Sequence, residues 1–328
     1  MKTIIAAILG CGLFFSAQAN DALKLIGTVP LPGVTGRFDH FAIDEQGQRL
    51  FVAALGNNTV EVINVSNKDR VTFITGLRKP QGIVFLPEKN QIGVACGGDG
   101  TFKVFSGVDY KLLTTIPGLD DADNVRLEPK QKATVFVGYG DGALAMIDVK
   151  TWKKTGDIKL TGHPESFQVE NDGADIYVNV PGAREVAVAD REKVCVRTTF
   201  PMNKFKSNFP MALDETNNRV FIGCRTTPRL VVLDKEKGQE LANVEISGDT
   251  DDLFYDAKRR SVYISCGEGF IDVVRAAPDQ PLKRIQKIPT RSGARTSFFS
   301  RELDRFFLAV PNRGSDPAEI RIYEPTQP

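Results

Sequence analysis

Leu50-Phe-Val-Ala-Ala54, Ile92-Gly-Val-Ala-Cys96, Val135-Phe-Val-Gly-Tyr139, Ile176-Tyr-Val-Asn-Val180, Val220-Phe-Ile-Gly-Cys224, Val262-Tyr-Ile-Ser-Cys266 and Phe306-Phe-Leu-Ala-Val310 are seven versions of one short stretch. Their second residues, from Phe51 to Phe307, are spaced by 42, 43, 41, 44, 42 and 44 positions, so one unit repeats along nearly the whole chain. Short runs of β-branched and aromatic residues pack well on a pleated surface and read as strands. Each unit holds four such runs; in the first they fall at 40–44, 50–54, 59–65 and 71–75. Third runs recur at 144–149, 185–190, 230–234, 270–274 and 320–323. Between runs lie turn formers such as Asn171-Asp172-Gly173, Asn217-Asn218 and Gly140-Asp141-Gly142, which tolerate positive φ at small cost. No stretch shows helical periodicity. A period near 42 with four strands per unit predicts an all-β fold, a seven-bladed β-propeller of four-stranded antiparallel blades.

The last unit is one strand short, because the chain ends soon after 320–323. One orphan strand precedes the first unit, over 23–31, and its Thr28-Val-Pro30 resembles Thr115-Ile-Pro117 at the end of the second unit. Pairing the orphan with the last blade completes it and leaves no open edge. The expectation is a ring closed by the N-terminal strand.

Residues 1–19 have a different character. Lys2 precedes an apolar run over 4–15, and Ala17-Gln18-Ala19 is a small-x-small cleavage signal. A spanning helix needs about 20 apolar residues, and Ser16, Gln18, Asn20 and Asp21 stop this run short. The reading is a signal peptide over 1–19 cleaved after Ala19, a single propeller domain over 20–328, and a periplasmic or secreted location. Ile8-Leu9-Gly10-Cys11 is a lipoprotein-type alternative, disfavoured by the short apolar run before Cys11. Loss of Lys2 leaves 41 basic against 41 acidic residues. That neutrality disfavours electrostatic binding to nucleic acid, and no membrane span is expected. Cys96, Cys195, Cys224 and Cys266 remain, three of them at equivalent strand ends. Facing sheets lie about 10 Å apart, beyond the roughly 7 Å reach of a disulfide, so free thiols are expected.

Strand alternation places the loop entering each first strand, and the loop from second to third strand, on one face around the channel mouth. A constant spacing from the repeated aromatic puts Asp39, Gln81, Asn124, Glu165, Phe209, Asp251 and Arg295 in one ring, six of them polar. His40 and Asp252 follow at the next position, and His163 falls on the same face. Second-to-third loops add Asn57, Asn58, Asp99, Asp141, Arg184, Arg225, Arg229, Glu268, Asn312 and Arg313. The candidate ligand-binding set is therefore Asp39, His40, Gln81, Asn124, Glu165, Asp251, Asp252 and Arg295. Opposite-face hairpins, such as Glu45-Gln46-Gly47, read as solvated turns. The acidic runs Asp120, Asp121, Asp123 and Asp249, Asp251, Asp252 suit Ca²⁺ in chemistry, without the spacing of a Ca²⁺ loop. No cofactor and no metal residue is assigned on spacing, and Ca²⁺ near the channel stays open.

Ile176-Tyr-Val-Asn-Val180 and its counterparts, each followed by a turn and a Val-rich strand ending near Asp, resemble the YVTN-repeat β-propellers, the YncE-like proteins. The resemblance covers about 36–323. It implies the propeller architecture and carries little about function, because such propellers host unrelated activities. Gly93 departs from it where an aromatic is usual. The leading reading is an exported binding module, a monomer, recognising a small polar ligand or a partner protein at the mouth. A lactonase-like hydrolase is the alternative, since related propellers place Glu, Asn, Asp, His and Arg around such a mouth. His40 or Glu165 would then be the general base and Arg295 the oxyanion partner. Against it, the Glu-Gly-Pro strand opening of calcium-dependent lactonase propellers is missing. Single-stranded nucleic-acid binding ranks third.

Overall fold

The computed structural model describes residues 21–326, so the leader over 1–19 and its cleavage after Ala19 lie outside the described residues. Seven four-stranded antiparallel sheets follow one another around a ring. Blades one to six span 41–74, 80–117, 125–159, 167–201, 206–245 and 250–289. The only helical pieces among the described residues are two three-residue 3₁₀ turns, Leu55–Asn57 and Glu215–Asn217. Among the described residues, no helix is long and apolar enough to cross a membrane.

Blade seven takes three strands from the chain's end and its outer strand from the start. Leu23–Leu31 pairs antiparallel with Ala318–Pro325, with Leu31 opposite Ala318 and Leu23 opposite Pro325. Leu23 is buried between blades six and seven, and Val29 and Leu31 between blades seven and one. The same strand is tied to its neighbours: Gln286 Oε1 in blade six accepts from Ala22 N at 2.8 Å, and Lys68 of blade one donates to the Ile26 carbonyl at 2.7 Å.

Seven apolar clusters hold the ring, one wherever two blades meet. The repeated aromatics Phe51, Phe136, Tyr177, Phe221, Tyr263 and Phe307 are all fully buried in them. Blade two lacks this aromatic for a steric reason. A Cβ on Gly93 would run into the ring of Phe102 and sit 2.9 Å from Val84, so Phe102 of the next strand fills the space instead. Of the expected positive-φ turns, Asn218, Gly140 and Gly142 take it. The Asn171-Asp172-Gly173 turn does not. There the Glu170 carboxylate folds over Gly173, in the space a Cβ would take.

Cys96, Cys224 and Cys266 sit buried in three different interblade clusters, and Cys195 is exposed on an outer strand; all four are free. Burial pushes the Cys96 thiol up to about 11 and that of Cys224 to about 12, which keeps both protonated and unreactive. Thiol titration of denatured, non-reduced protein starting at residue 20 should find four free thiols. Finding two would mean a disulfide and contradict this arrangement.

Candidate functional site

One end of the channel opens into a cavity of about 280 Å³ whose walls are almost wholly polar. Asp39, His40, Gln81, Asn124, Glu165, Asp251 and Arg295 all line it, together with Phe209 and His163. Two expectations need correction. Asn124 does not hold the ring position of blade three. Asp39 N and Glu165 N each donate to the fourth residue of the repeated strand (Ala53 and Asn179), and in blade three the donor to that residue, Gly138, is Asp123 N. Asp123 is therefore the true counterpart of Asp39, and Asn124 is the counterpart of His40. The cause is hairpin length. The other six blades join first and second strands through four residues, as at 45–48 and 215–218, whereas blade three uses five, 129–133. A constant spacing from Phe136 misses by one.

Asp252 is the second correction. It does not line the mouth but lies beneath it, in the wall of a second cavity. Its Oδ2 accepts from Ser297 N at 2.9 Å, and its Oδ1 stands 3.3 Å from His40 Nδ1. The other side of the imidazole faces Asp39 Oδ1 at 3.4 Å and Asp123 Oδ1 at 3.7 Å. His40 and its three carboxylates thus form a plug that separates the two cavities. Burial alone would lower the His40 pKa; the charges of Asp252, Asp39 and Asp123 outweigh it and push it up to about 10. Burial, and then the neighbouring carboxylates, raise Asp39 and Asp123 against the opposing pull of His40.

The arginines of the mouth are already matched. Arg295 Nη1 donates to both oxygens of Asp249 at 2.9 and 3.1 Å, and its Nε lies 3.0 Å from Asp251 Oδ2. Arg225 pairs with Asp251, donates to the Thr250 carbonyl at 2.7 Å and stacks 3.6 Å from the Phe209 ring centroid. Arg37 pairs with Asp39 at 3.3 Å. Gln81 serves the scaffold, donating to the Ala122 carbonyl at 3.0 Å. His163 Nδ1–H donates to the Gly140 carbonyl at 2.7 Å. Glu165 is different. Its carboxyl, raised by burial and by Asp251, makes no hydrogen bond or ion pair among the described residues.

Two of the groups considered for a hydrolase are committed within the protein. His40 is hemmed by three carboxylates, which hold its proton. Arg295 shares its charge between Asp249 and Asp251, and Glu165, the other candidate base, is the group left unpaired among the described residues. Of the two acidic runs, the second is committed within the protein: Asp249 and Asp251 pair with arginines, and Asp252 with Ser297 and His40. Among the described residues, the one group of side chains placed to share an ion is Asp39, His40 and Asp123, whose ligand atoms all lie within 4.8 Å of one another. Among the second-to-third loop residues, Arg225 alone reaches the cavity. Others pair locally, as Asp99 does with Lys103 at 2.9 Å.

Below the plug, a cavity of about 440 Å³ runs from His40 and Asp252 to the hairpin residues Asn171, Glu215 and Arg301 of the opposite face. Ile43, Phe85, Leu127, Phe254 and Phe298 give it an apolar wall. Arg126 stands in that wall with only the Val125 carbonyl as acceptor, and burial lowers its pKa. The sequence placed only solvated turns at this end, because inner-strand residues line the cavity and the hairpins merely rim it.

No protein-family model matches the chain, and no curated protein does. Solved structures do share its architecture. A chain of a mitotic checkpoint complex superposes with a TM-score of 0.76 at 13% identity, covering 98% of both chains. A chain of hydrazine synthase from Kuenenia stuttgartiensis superposes with a TM-score of 0.75 at 13% identity, covering 88% of this chain and 98% of that one. At such identity the likeness is one of fold. The protein is a seven-bladed β-propeller with a charged, plugged axial mouth.

Proposed function

We propose that this chain is an exported binding module of the YVTN-repeat type that takes a small polar ligand, rich in hydrogen-bond donors, into the mouth. Glu165 carries the reading. It is a half-buried carboxyl with no partner among the described residues, in a cavity where Arg37, Arg225 and Arg295 are already matched to aspartates. An unpaired acceptor in a concave polar site calls for a donor from outside, such as an amine or a polyol. The concave shape favours a small molecule over a flat protein surface. Export rests on Lys2, the apolar run and Ala17-Gln18-Ala19; amino-terminal sequencing of protein from the expressing cell should begin at Asn20.

A thermal-shift screen of amines, amino acids and polyols tests the binding reading, because a ligand of the native state raises the midpoint. Glu165→Gln should weaken any hit by about 5- to 150-fold, from the roughly 1–3 kcal/mol lost when a buried polar group goes unpaired. A hit whose affinity Glu165→Gln leaves unchanged does not use this group, and the reading fails.

A further inference from the structure

We propose that Asp39, His40 and Asp123 bind one divalent transition-metal ion at the floor of the mouth. Asp39 and Asp123 hold the same repeat position in blades one and three, and each aims a carboxylate oxygen at His40 Nε2, at 3.4 and 3.7 Å. Ligands held about 2.0–2.2 Å from one ion at near-tetrahedral angles lie roughly 3.3–3.6 Å apart; the two contacts to His40 already nearly match, and all three ligand atoms lie within 4.8 Å of one another, so a modest inward shift closes the site.

A second observation is independent of this clustering. Asp123 Oδ1 is buried from solvent and has no hydrogen-bond partner, an orphaned charge aimed at the imidazole. A third concerns the far side of the ring. Asp252 is anchored by Ser297 N and stands 3.3 Å from His40 Nδ1. A carboxylate on one imidazole nitrogen orients the ring and leaves the other nitrogen as ligand, the arrangement that supports histidine in metal centres. Asp252 is thus a positioning residue and the other three are ligands, the ion displacing the Nε2 proton of His40 to solvent while the Nδ1 proton stays toward Asp252.

The donor set selects the ion. Ca²⁺ takes six to eight oxygens and Mg²⁺ keeps its waters. One imidazole nitrogen with two carboxylates suits Zn²⁺ and, more weakly, Mn²⁺, following the general order of affinity for divalent ions. All three ligands line the mouth, so further coordination positions face the cavity where the proposed organic ligand would enter. The inference does not depend on that ligand, and the test is made without it.

Untagged, chelator-treated protein is titrated by calorimetry with Zn²⁺, Mn²⁺ and Ca²⁺. The expected result is one Zn²⁺ per chain, weaker Mn²⁺ and no measurable Ca²⁺. Asp123→Asn, which keeps the shape of the side chain, should weaken Zn²⁺ by at least about 100-fold, and Asp252→Asn by about 10- to 100-fold, the usual cost of losing the outer partner of a ligand histidine. Asp141→Asn, in a loop outside the site, should leave affinity unchanged. Circular dichroism of the metal-free variants reports whether they fold, and Asp39→Asn replaces any that does not. Absence of saturable one-to-one Zn²⁺ binding to the wild type overturns the proposal by itself. Equal affinity in Asp123→Asn overturns it too, because the ion would then be held elsewhere.

Discussion

Removing residues 21–33 is expected to abolish the stable monomer. Leu23 is buried where blades six and seven meet, Val29 and Leu31 where blades seven and one meet, and burying a large aliphatic side chain contributes about 1.5–3 kcal/mol. Three of them amount to about 5–9 kcal/mol, comparable with the whole stability of an ordinary domain, about 5–15 kcal/mol. The truncation also strips the outer edge of Ala318–Pro325 and uncovers Ile320 and Ile322, which are buried in the cluster between blades seven and one. A bare apolar edge pairs with other chains. Urea unfolding and size-exclusion chromatography should show a collapsed midpoint and oligomers. A monomer with an unchanged midpoint would mean that the ring does not depend on its N-terminal strand.

The second large effect is expected at the ion pair under blade five. Arg219 donates to Asp214 Oδ2 through Nε at 3.0 Å and Nη2 at 2.6 Å, and the two side chains are 8% and 3% exposed. The guanidinium also donates to the Ala276 carbonyl at 2.8 Å and lies over the rings of Phe221 and Tyr255. Asp214→Ala strands this charge in the interior and should cost about 3–5 kcal/mol. Replacing the pair together, Asp214→Leu with Arg219→Met, should recover most of that loss, because a buried pair often does little better than apolar residues of its own size. Asp109→Ala, which breaks an exposed pair with Lys111, should leave the midpoint unmoved. If Asp214→Ala is as mild as Asp109→Ala, the guanidinium has found water and the burial argument is wrong.

The architecture was legible because it is written locally and seven times over. Each repeated strand but that of blade two carries its own aromatic, and a missing strand at one end matches a spare at the other, Leu23–Leu31. The site was legible only to within one residue. The ring positions of six blades follow from a constant spacing to the aromatic, and blade three breaks it through a five-residue hairpin, which hid Asp123. Nothing in that hairpin's residues announces the extra one: Lys132 takes a positive φ, as do Gln48, Asn90, Asn218, Arg260 and Asp304 in the four-residue hairpins. Pairings across the mouth were not legible. Nothing local says that Arg295 reaches back to Asp249, 46 residues away, or that Asp252 turns beneath His40 and away from the mouth. Such contacts arise from ring closure, which brings first strands from opposite ends of the chain to one axis. The apolar cavity around Phe254 and Phe298 was missed for the same reason, since a core phenylalanine and a channel phenylalanine look alike in sequence.

The central claim is that ligands enter above the His40 plug and not below it. The direct test titrates the first confirmed hit against one variant from each cavity, Arg295→Ala above and Arg126→Leu below. Arg295 holds Asp249 and Asp251 in place around the mouth, so its loss should weaken binding about 5- to 150-fold, from about 1–3 kcal/mol at 1.4 kcal/mol per decade. Arg126→Leu should leave the affinity within about twofold, because a site above the plug makes no contact with that side chain. Loss in Arg126→Leu with no change in Arg295→Ala would place the ligand in the apolar cavity and contradict the account.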